Sequence, residues 1–402
     1  MCVIPTPMLA FFPWISAACA VIVALVARIL RGRLYATFVS VLLTIHTLIS
    51  VAMARVFEPL LPLYLFLQLT VYLHFALLSV PKMRPAWYRL FISVPASYFA
   101  AATFLALPWA IVSALGFTPY GWFIPYTVAL FGIVHSLRLR FEETDLVVDG
   151  QTVPTLQRYA RGSGRDERPL RIVQITDPHL GPFMSEARLR AITERAVATN
   201  PDLVLLTGDF LTMESHEARG ALARAFEPLA ALEGRVFACF GNHDHEAPET
   251  VAGALQDIGA TLLIDDERVV QTPAGPIQIL GVDFHFRDRA VRTERVFRKY
   301  PRRPGHKRLV LLHDPGAFRH VPDGEADLVF GGHTHGGQLG LLVFGLPHTF
   351  VSAFTQIPDH GLWALGRNRL YVHRGTGHYG FPLRVGVPAE ESLLKVHWQQ
   401  NP

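Results

Sequence analysis

Five short polar clusters in the C-terminal half of the chain carry the residue types that hold divalent cations. They are Asp177-Pro-His179, Gly208-Asp209, Gly241-Asn-His-Asp244, His313-Asp-Pro315 and Gly331-Gly-His-Thr-His-Gly-Gly337. Their donors are carboxylates, imidazoles and an amide, with no thiolate, a set suited to Mn, Fe, Zn or a similar divalent ion. Seven groups, Asp177, His179, Asp209, Asn242, His313, His333 and His335, are too many for one ordinary ion. Two cations about 3.5–4 Å apart account for the number, because such a pair clamps a phosphoryl group and lowers the pKa of a shared water. It also stabilises the attacking and leaving oxygens of an in-line displacement, and one carboxylate must bridge the pair. The flanking glycines let the backbone turn sharply and approach the ions closely.

Each cluster directly follows an apolar run. Leu170 to Thr176, Leu203 to Thr207 and Arg235 to Phe240 read as buried strands. Helices are expected from Ser185 to Asn200, closed before Pro201, and from about Glu214 to Leu232, ending at Gly234. Further strands are expected at Ile277 to Val282, Arg308 to Leu312, Asp327 to Phe330, Arg369 to His373 and Ser392 to Val396. This αβ layering sends all five clusters to one rim, outside the carboxyl ends of the strands, where ligands of α/β folds gather.

Composition divides the 402 residues near Phe141. Between Met1 and Arg140 the only acidic residue is Glu58, whereas the remainder has the charge content of a soluble protein. Three organisational units follow: residues 1–140 as a helical membrane domain, 141–168 as a polar linker and 169–402 as the catalytic domain. Met8 to Ala27, Leu34 to Ala54 and Leu60 to Val80 are each about long enough to cross a bilayer. The uncharged stretch from Leu90 to Leu137 is long enough for two more, turning at Gly116 to Trp122, so about five spans are expected. Met1 to Ala10 has no Lys or Arg, unlike the start of a cleavable signal peptide.

Short-loop charges give the orientation. Arg28, Arg31, Arg33, Lys82, Arg84, Arg89, Arg138 and Arg140 fall on one side of these spans and only Arg55 on the other. The expected location is therefore the cell (inner) membrane, multi-pass, with the catalytic domain in the cytoplasm. His46, His74 and His135 lie in the apolar runs without intramembrane Asp or Glu, which reads as helix packing and argues against a transport path. The net charge of +4 is mild and spread over both halves, so nucleic acid is not an expected partner. Cys2, Cys19 and Cys239 are odd in number and scattered, giving neither a disulfide framework nor a thiolate metal site.

In order and spacing, the motifs DxH, GD, GNHD, a single His and GHxH resemble the calcineurin-like metallophosphoesterase family over roughly Pro169 to Val396. The resemblance implies an αββα sandwich, two divalent metal ions and hydrolysis of a phosphomonoester, phosphodiester or pyrophosphate by a metal-activated hydroxide. Carried over by motif position, Asp177, His179 and His335 hold the first metal, Asn242, His313 and His333 the second, and Asp209 bridges. His243 is then the general acid or phosphate-contacting group, oriented by Asp244. Gly337, Gln338 and Arg374-Gly375 are similar to a membrane-associated bacterial branch, some of whose members cleave nucleotide diphosphate-linked acylated sugars. Pro178 stands where the family often has an aliphatic residue and leaves both flanking ligands in position.

Anchoring then suggests a phosphorylated, lipid-linked substrate such as a UDP-diacylglucosamine-like compound. The competing class is a non-catalytic membrane sensor or scaffold that binds a phosphorylated ligand through the metal site. Weaker candidates are His245, read as an exposed loop histidine, and His348, Arg374 and His378, read as possible phosphate or sugar contacts. Asp314 either orients His313 or caps the turn before Pro315. From Arg287 to Arg308, ten Lys or Arg against Asp288 and Glu294 make either a headgroup-binding surface or a solvated face.

Overall fold

Apolar runs ending in turn residues become strands, and in the computed structural model there are thirteen of them among the described residues, 7–159, 168–378, 380, 381 and 383–399. Cys2, the rest of the first six residues and positions 160–167 of the expected linker lie outside these. Chain contacts divide the molecule into one unit of Met1–His135 with Gly380–Leu383 and another of Ser136–Tyr379 with Arg384–Pro402.

In the first unit, helices run over Pro7–Leu30, Arg33–Met53, Leu61–Leu77, Val94–Leu105, Leu107–Ala114 and Ile124–Ser136. Met8–Leu30 and the continuous stretch Arg33–Leu77 are long and apolar enough to cross a membrane. A third span is reached if Ala86–Leu105 and Leu107–Ala114, bent by 63° at their break, are taken as one. The expectation of about five spans is thus met only in part: the chain turns at Ala54–Leu60 and again between Ala114 and Ile124, where the sequence places turns, but it also breaks at Ala106, inside a run expected to cross uninterrupted. One bend comes at Ala106, before Pro108. The other lies in the 3-10 turn Ala54–Leu60, which contains Pro59. Beyond that turn the chain doubles back. Tyr35 Oη donates to Phe75 O at 3.0 Å, Tyr64 Oη donates to Ser50 O at 2.8 Å, and His46 Nε2 pairs with Gln68 Oε1 at 3.0 Å. On a straight helix Tyr35 and Phe75 would stand about 60 Å apart. His46 also meets the ring edges of Tyr72 and Phe99, as packing through an imidazole requires.

In the second unit the strands are β1 Leu139–Val148, β2 Val153–Arg158, β3 Leu170–Ile175, β4 Leu203–Leu206, β5 Val236–Ala238 and β6 Thr261–Leu262. They continue with β7 Asp266–Thr272, β8 Gly275–Val282, β9 Lys307–Leu312, β10 Leu328–Gly331, β11 Gly361–Gly366, β12 Asn368–Val372 and β13 Ala389–Trp398. One sheet has the order β1-β13-β3-β4-β5-β6 and the other β2-β11-β12-β10-β9-β8-β7. Alternate side chains of the first, Ile172, Leu203, Leu205 and Phe237, meet Ile277, Ile279, Leu309, Leu311 and Phe330 of the second in one dry core. Val296 and Phe297 of the helix Arg289–Lys299 cover the outer face of the second sheet, and the helix Glu186–Ala198 packs beside β13 on the first. This is the expected α/β sandwich.

The segment read as a polar linker carries β2 and all of β1 but its first two residues, which lie in the segment read as the membrane domain. β1 pairs in parallel along its whole length with β13, from Leu139↔Ala389 to Val148↔Trp398, and β2 pairs with β11. Both are edge strands, and Arg140, Glu142, Glu143 and Asp145 of β1 mask its apolar alternation.

Candidate metal centre

Parallel pairing in register brings the carboxyl ends of the central strands level. Ile175 lies beside Leu206, Leu206 beside Ala238, and Leu311 beside Phe330. The residues that follow must therefore turn at one rim. Under that rim Gln174, buried on β3, donates to Thr207 Oγ1 at 2.8 Å and to Gly331 O at 3.0 Å, fastening the two sheets together.

At the rim the expected donors form two groups, Asp177 with His179 and His335, and Asp209 with His313 and His333; within each group the ligand atoms lie within 4.8 Å of one another. His179 Nε2 is 3.2 Å from His335 Nε2, which is 3.4 Å from Asp177 Oδ1. Asp209 stands between the groups, with Oδ2 3.2 Å from His313 Nε2 and 3.8 Å from His179 Nε2. Backbone carbonyls fix two of the rings: Leu211 O lies 3.2 Å from His179 Nδ1, and Thr207 O lies 2.7 Å from His313 Nδ1. For His179 the carbonyl selects the tautomer with a bare Nε2, the form that binds a metal, and for His313 it holds Nδ1–H so that Nε2, turned to Asp209, is the nitrogen a metal would take. Asp177 is held by Thr176 Oγ1 at 2.8 Å and by the backbone N–H of His333.

The backbone is strained to reach this arrangement. Asp177, His179, Asp209, His333 and His335 all have φ between 48° and 66°, in the left-handed region, which costs a non-glycine residue of order 1–3 kcal/mol. Close approach also requires glycine: a Cβ on Gly332 would lie 2.3 Å from Asp177 Oδ2, and one on Gly241 would lie 2.2 Å from Asp209 Oδ1.

Burial drives His179 down to about 3 and His333 to about 4, and it pushes His335 well below the ordinary histidine value. These rings are therefore neutral, as ligands must be. Burial raises Asp177 to about 6. Burial also works against the Asp209 carboxylate, but the neighbouring His313 holds it below its usual range; in return Asp209 lifts His313 to about 10 against the penalty of burial. Positive charge is wanted between these two groups.

Two metal ions fit this site on an independent observation. Asn242 Oδ1 and His333 Nδ1 are buried and make no hydrogen bond, and His313 Nε2 faces only the Asp209 carboxylate, at 3.2 Å. Buried polar atoms are rare without a partner. Together the three are the donor positions expected for one ion. A cavity of about 310 Å³ opens over the donors, lined by Asp209, His243, His333, His335, Gln338 and Val351 among others.

The two remaining site residues divide their work differently from the expectation. Asp244 was expected to orient His243; instead its two oxygens accept from the backbone N–H groups of Asp209, Phe210 and Gly241 at 2.7–2.9 Å, pinning the two turns that carry Asp209 and Asn242. Glu246 Oε1 sits 2.8 Å from His243 Nδ1. Burial disfavours a charged His243, but Glu246 and then Asp209 outweigh it and raise the ring above its ordinary value. The signal for Glu246 was its spacing of three residues from His243. Arg384 carried none: it is buried and donates to His335 O at 3.1 Å and to Gly377 O at 2.6 Å.

Outlying candidates have structural partners. His245 pairs with Asp283 at 2.9 Å, Arg374 with Glu142 at 2.6 Å and Glu390 at 3.0 Å, and the buried His378 packs on Phe183. Asp314 caps the turn at Gly316 and pairs with Arg289. His348 is exposed. Of the basic run, Arg298, Arg302, Arg303 and Arg308 as well as Arg289 form ion pairs within the domain, which drains the headgroup-binding reading.

Residues 170–337 match the calcineurin-like phosphoesterase family. Phosphodiesterase YaeI of Escherichia coli (strain K12) is 29% identical over 233 residues, spanning 57% of this chain and 82% of that protein. An uncharacterized metallophosphoesterase of Helicobacter pylori (strain ATCC 700392 / 26695) is 26% identical over 341 residues, 80% of this chain and 88% of its own length. UDP-2,3-diacylglucosamine pyrophosphatase LpxG of Chlamydia muridarum is 26% identical over 283 residues, covering 57% and 84% respectively.

Proposed function

Since the chain belongs to the calcineurin-like metallophosphoesterases through residues 170–337, and is by that membership a metal-dependent phosphoric ester hydrolase, we propose that it is a membrane-anchored binuclear enzyme cleaving a phosphoester or pyrophosphate bond of a lipid-linked substrate. The observation that carries this reading is the convergence of two metal-ready groups around Asp209, with Asn242 and His333 each presenting a buried polar atom that has no hydrogen-bond partner.

Asp177, His179 and His335 would hold one ion, Asn242, His313 and His333 the other, and Asp209 would bridge them. Two bound divalent cations would supply Lewis acidity and a water of lowered pKa at the phosphorus. The chain's own residues do the rest. His243, with Nδ1 turned to Glu246, presents Nε2 as the atom that delivers a proton to the leaving oxygen. Asp244 keeps the Asp209 and Asn242 turns in register. Gln338 and Val351 form part of the cleft wall.

Residues 1–140 serve as the anchor. The doubling-back of Arg33–Leu77 supports two crossings there, in addition to Met8–Leu30 and the bent pair; a fifth traverse through the shorter apolar helix Ile124–Ser136 would, with the short-loop charges, put the catalytic domain in the cytoplasm. A domain so held meets amphiphilic substrates by diffusion in two dimensions, and the likeness to a pyrophosphatase of an acylated nucleotide sugar makes UDP-linked acyl sugars the first substrates to try.

The test is turnover of a generic aryl phosphodiester by the Mn-loaded full chain in detergent. Asp209→Ala and His243→Ala should abolish it. Undiminished activity in both would sink the assignment.

A further inference from the structure

From Gly336 to Pro358 the sequence contains no Asp, Glu, Lys or Arg. With 17% of the chain charged, a stretch of that length on a water-facing surface would hold about four charges. In their place stand Leu341, Val343, Phe344, Leu346, Phe350 and Phe354, between 42% and 75% exposed. Contiguous apolar exposure of this kind marks an interaction surface.

The segment is firmly built. Gly340 bridges Thr349 and closes the loop, Leu341 N donates to His348 O at 2.8 Å, and Val343 N donates to Gly386 O at 3.1 Å. Thr349 and Ser352 form a capping box on the helix Phe350–Phe354, and the Thr349 hydroxyl bonds the buried Asp359. With its backbone satisfied, the loop holds its apolar side chains outward. Phe350 and Phe354 lie one helical turn apart with ring centroids 4.9 Å from each other, and Phe344 and Phe354 are each 75% exposed. Rings so exposed suit a deformable apolar phase better than the grip of one acyl tail, which needs a groove.

Two further features select the partner. The chain carries helices apolar and long enough to cross a membrane, so its other unit works at a high effective concentration of bilayer. The loop also grows directly out of the metal-binding turn: the helix Phe350–Phe354 packs on His335–Gly337, and Val351 lines the cleft over the donors.

We propose that the 341–354 loop inserts its apolar tip into a lipid bilayer and thereby sets the mouth of the metal cleft at the membrane surface. The insertion stands on its own; its consequence, that substrate headgroups enter the cleft from the lipid side, rests on the lipid-linked reading above.

The experiment uses the full chain reconstituted in vesicles of phosphatidylcholine and phosphatidylglycerol carrying a doxyl quencher at a shallow acyl carbon. Phe344→Trp and Phe354→Trp are compared with the parent chain. Insertion predicts that the introduced indole emission falls about twofold or more with quencher lipid while aqueous acrylamide quenches it poorly. Full acrylamide quenching with no lipid quenching at both positions overturns the proposal. A second arm uses Phe344→Asp together with Phe354→Asp, assayed on a vesicle-embedded lipid pyrophosphate and on a soluble aryl phosphodiester. A selective loss of about tenfold on the embedded substrate supports entry from the lipid side. Lipid quenching with equal activity on both substrates keeps the insertion and removes the lipid-linked reading.

Discussion

Buried polar groups at the rim of the sheets and in the apolar helices are disposed in opposite ways. In the helices they are dispersed, and those that pair do so with neutral partners: His46 with Gln68, Gln68 with Tyr72 and Ser16, Thr47 with Tyr72. At the rim they converge, and among the described residues the groups of three metal-ready side chains occur there. A buried imidazole nitrogen by itself therefore says little, since both regions contain one without a partner, His46 Nδ1 and His333 Nδ1. Convergence with carboxylates separates chemistry from packing.

The sharpest way to break that convergence leaves every donor in place. Gly332→Ala puts a methyl group 2.3 Å from Asp177 Oδ2 and 2.4 Å from Thr176 Oγ1. Displacing one carboxylate by a fraction of an ångström should cost on the order of a hundredfold in metal affinity and turnover. Elemental analysis and aryl phosphodiester kinetics measure both. Wild-type metal content and rate would mean the rim tolerates loose geometry, and the contrast between the regions would lose its meaning.

Asp244→Ala should act next most strongly, and on stability. It leaves three buried N–H groups of Asp209, Phe210 and Gly241 without their acceptor, a loss of about 3 kcal/mol. Thermal unfolding of the full chain reads it. An unchanged melting temperature would return Asp244 to the role of orienting His243.

How much of this was legible follows the same division. The seven donors could be read because each follows an apolar run by one to five residues, so a local motif reports a position in space. Strands β1 and β2 could not, because their partners β13 and β11 lie more than 200 residues away, β1 is charged and β2 contains Pro154. The left-handed backbone at five of the donors was equally hidden, since Asp and His adopt it only when surrounding structure demands it. In the helices, the reversal at Ala54–Leu60 could be read from the charged pair Arg55 and Glu58 with Pro59, whereas the break at Ala106 lies in an unbroken uncharged run and could not.

Glu246→Gln sharpens the assignment of His243. Glu246 raises the ring's pKa, so its neutral replacement lowers it. The acid form is then lost at lower pH, and the alkaline limb of the pH–rate profile should move toward acid. On the alkaline side the rate should fall about threefold to tenfold while the acid limb holds its position. An alkaline limb that stays put, with the rate lowered evenly at every pH, would remove Glu246 from the proton path.

The smallest effect is expected from Gln68→Leu, at the centre of the helical network. Gln68 is buried between His46, Tyr72 and Ser16, and hydrogen bonds between membrane helices average about 0.6 kcal/mol and reach roughly 2. The variant should therefore unfold slightly earlier in detergent and hydrolyse a soluble aryl phosphodiester at the parental rate. Its value lies in the second measurement. If those polar contacts only pack helices, nothing at the metal centre senses their loss. A fall in soluble-ester turnover of tenfold or more, at full metal content, would show that the helices bias the catalytic site, and the two regions would have to be understood as one coupled device.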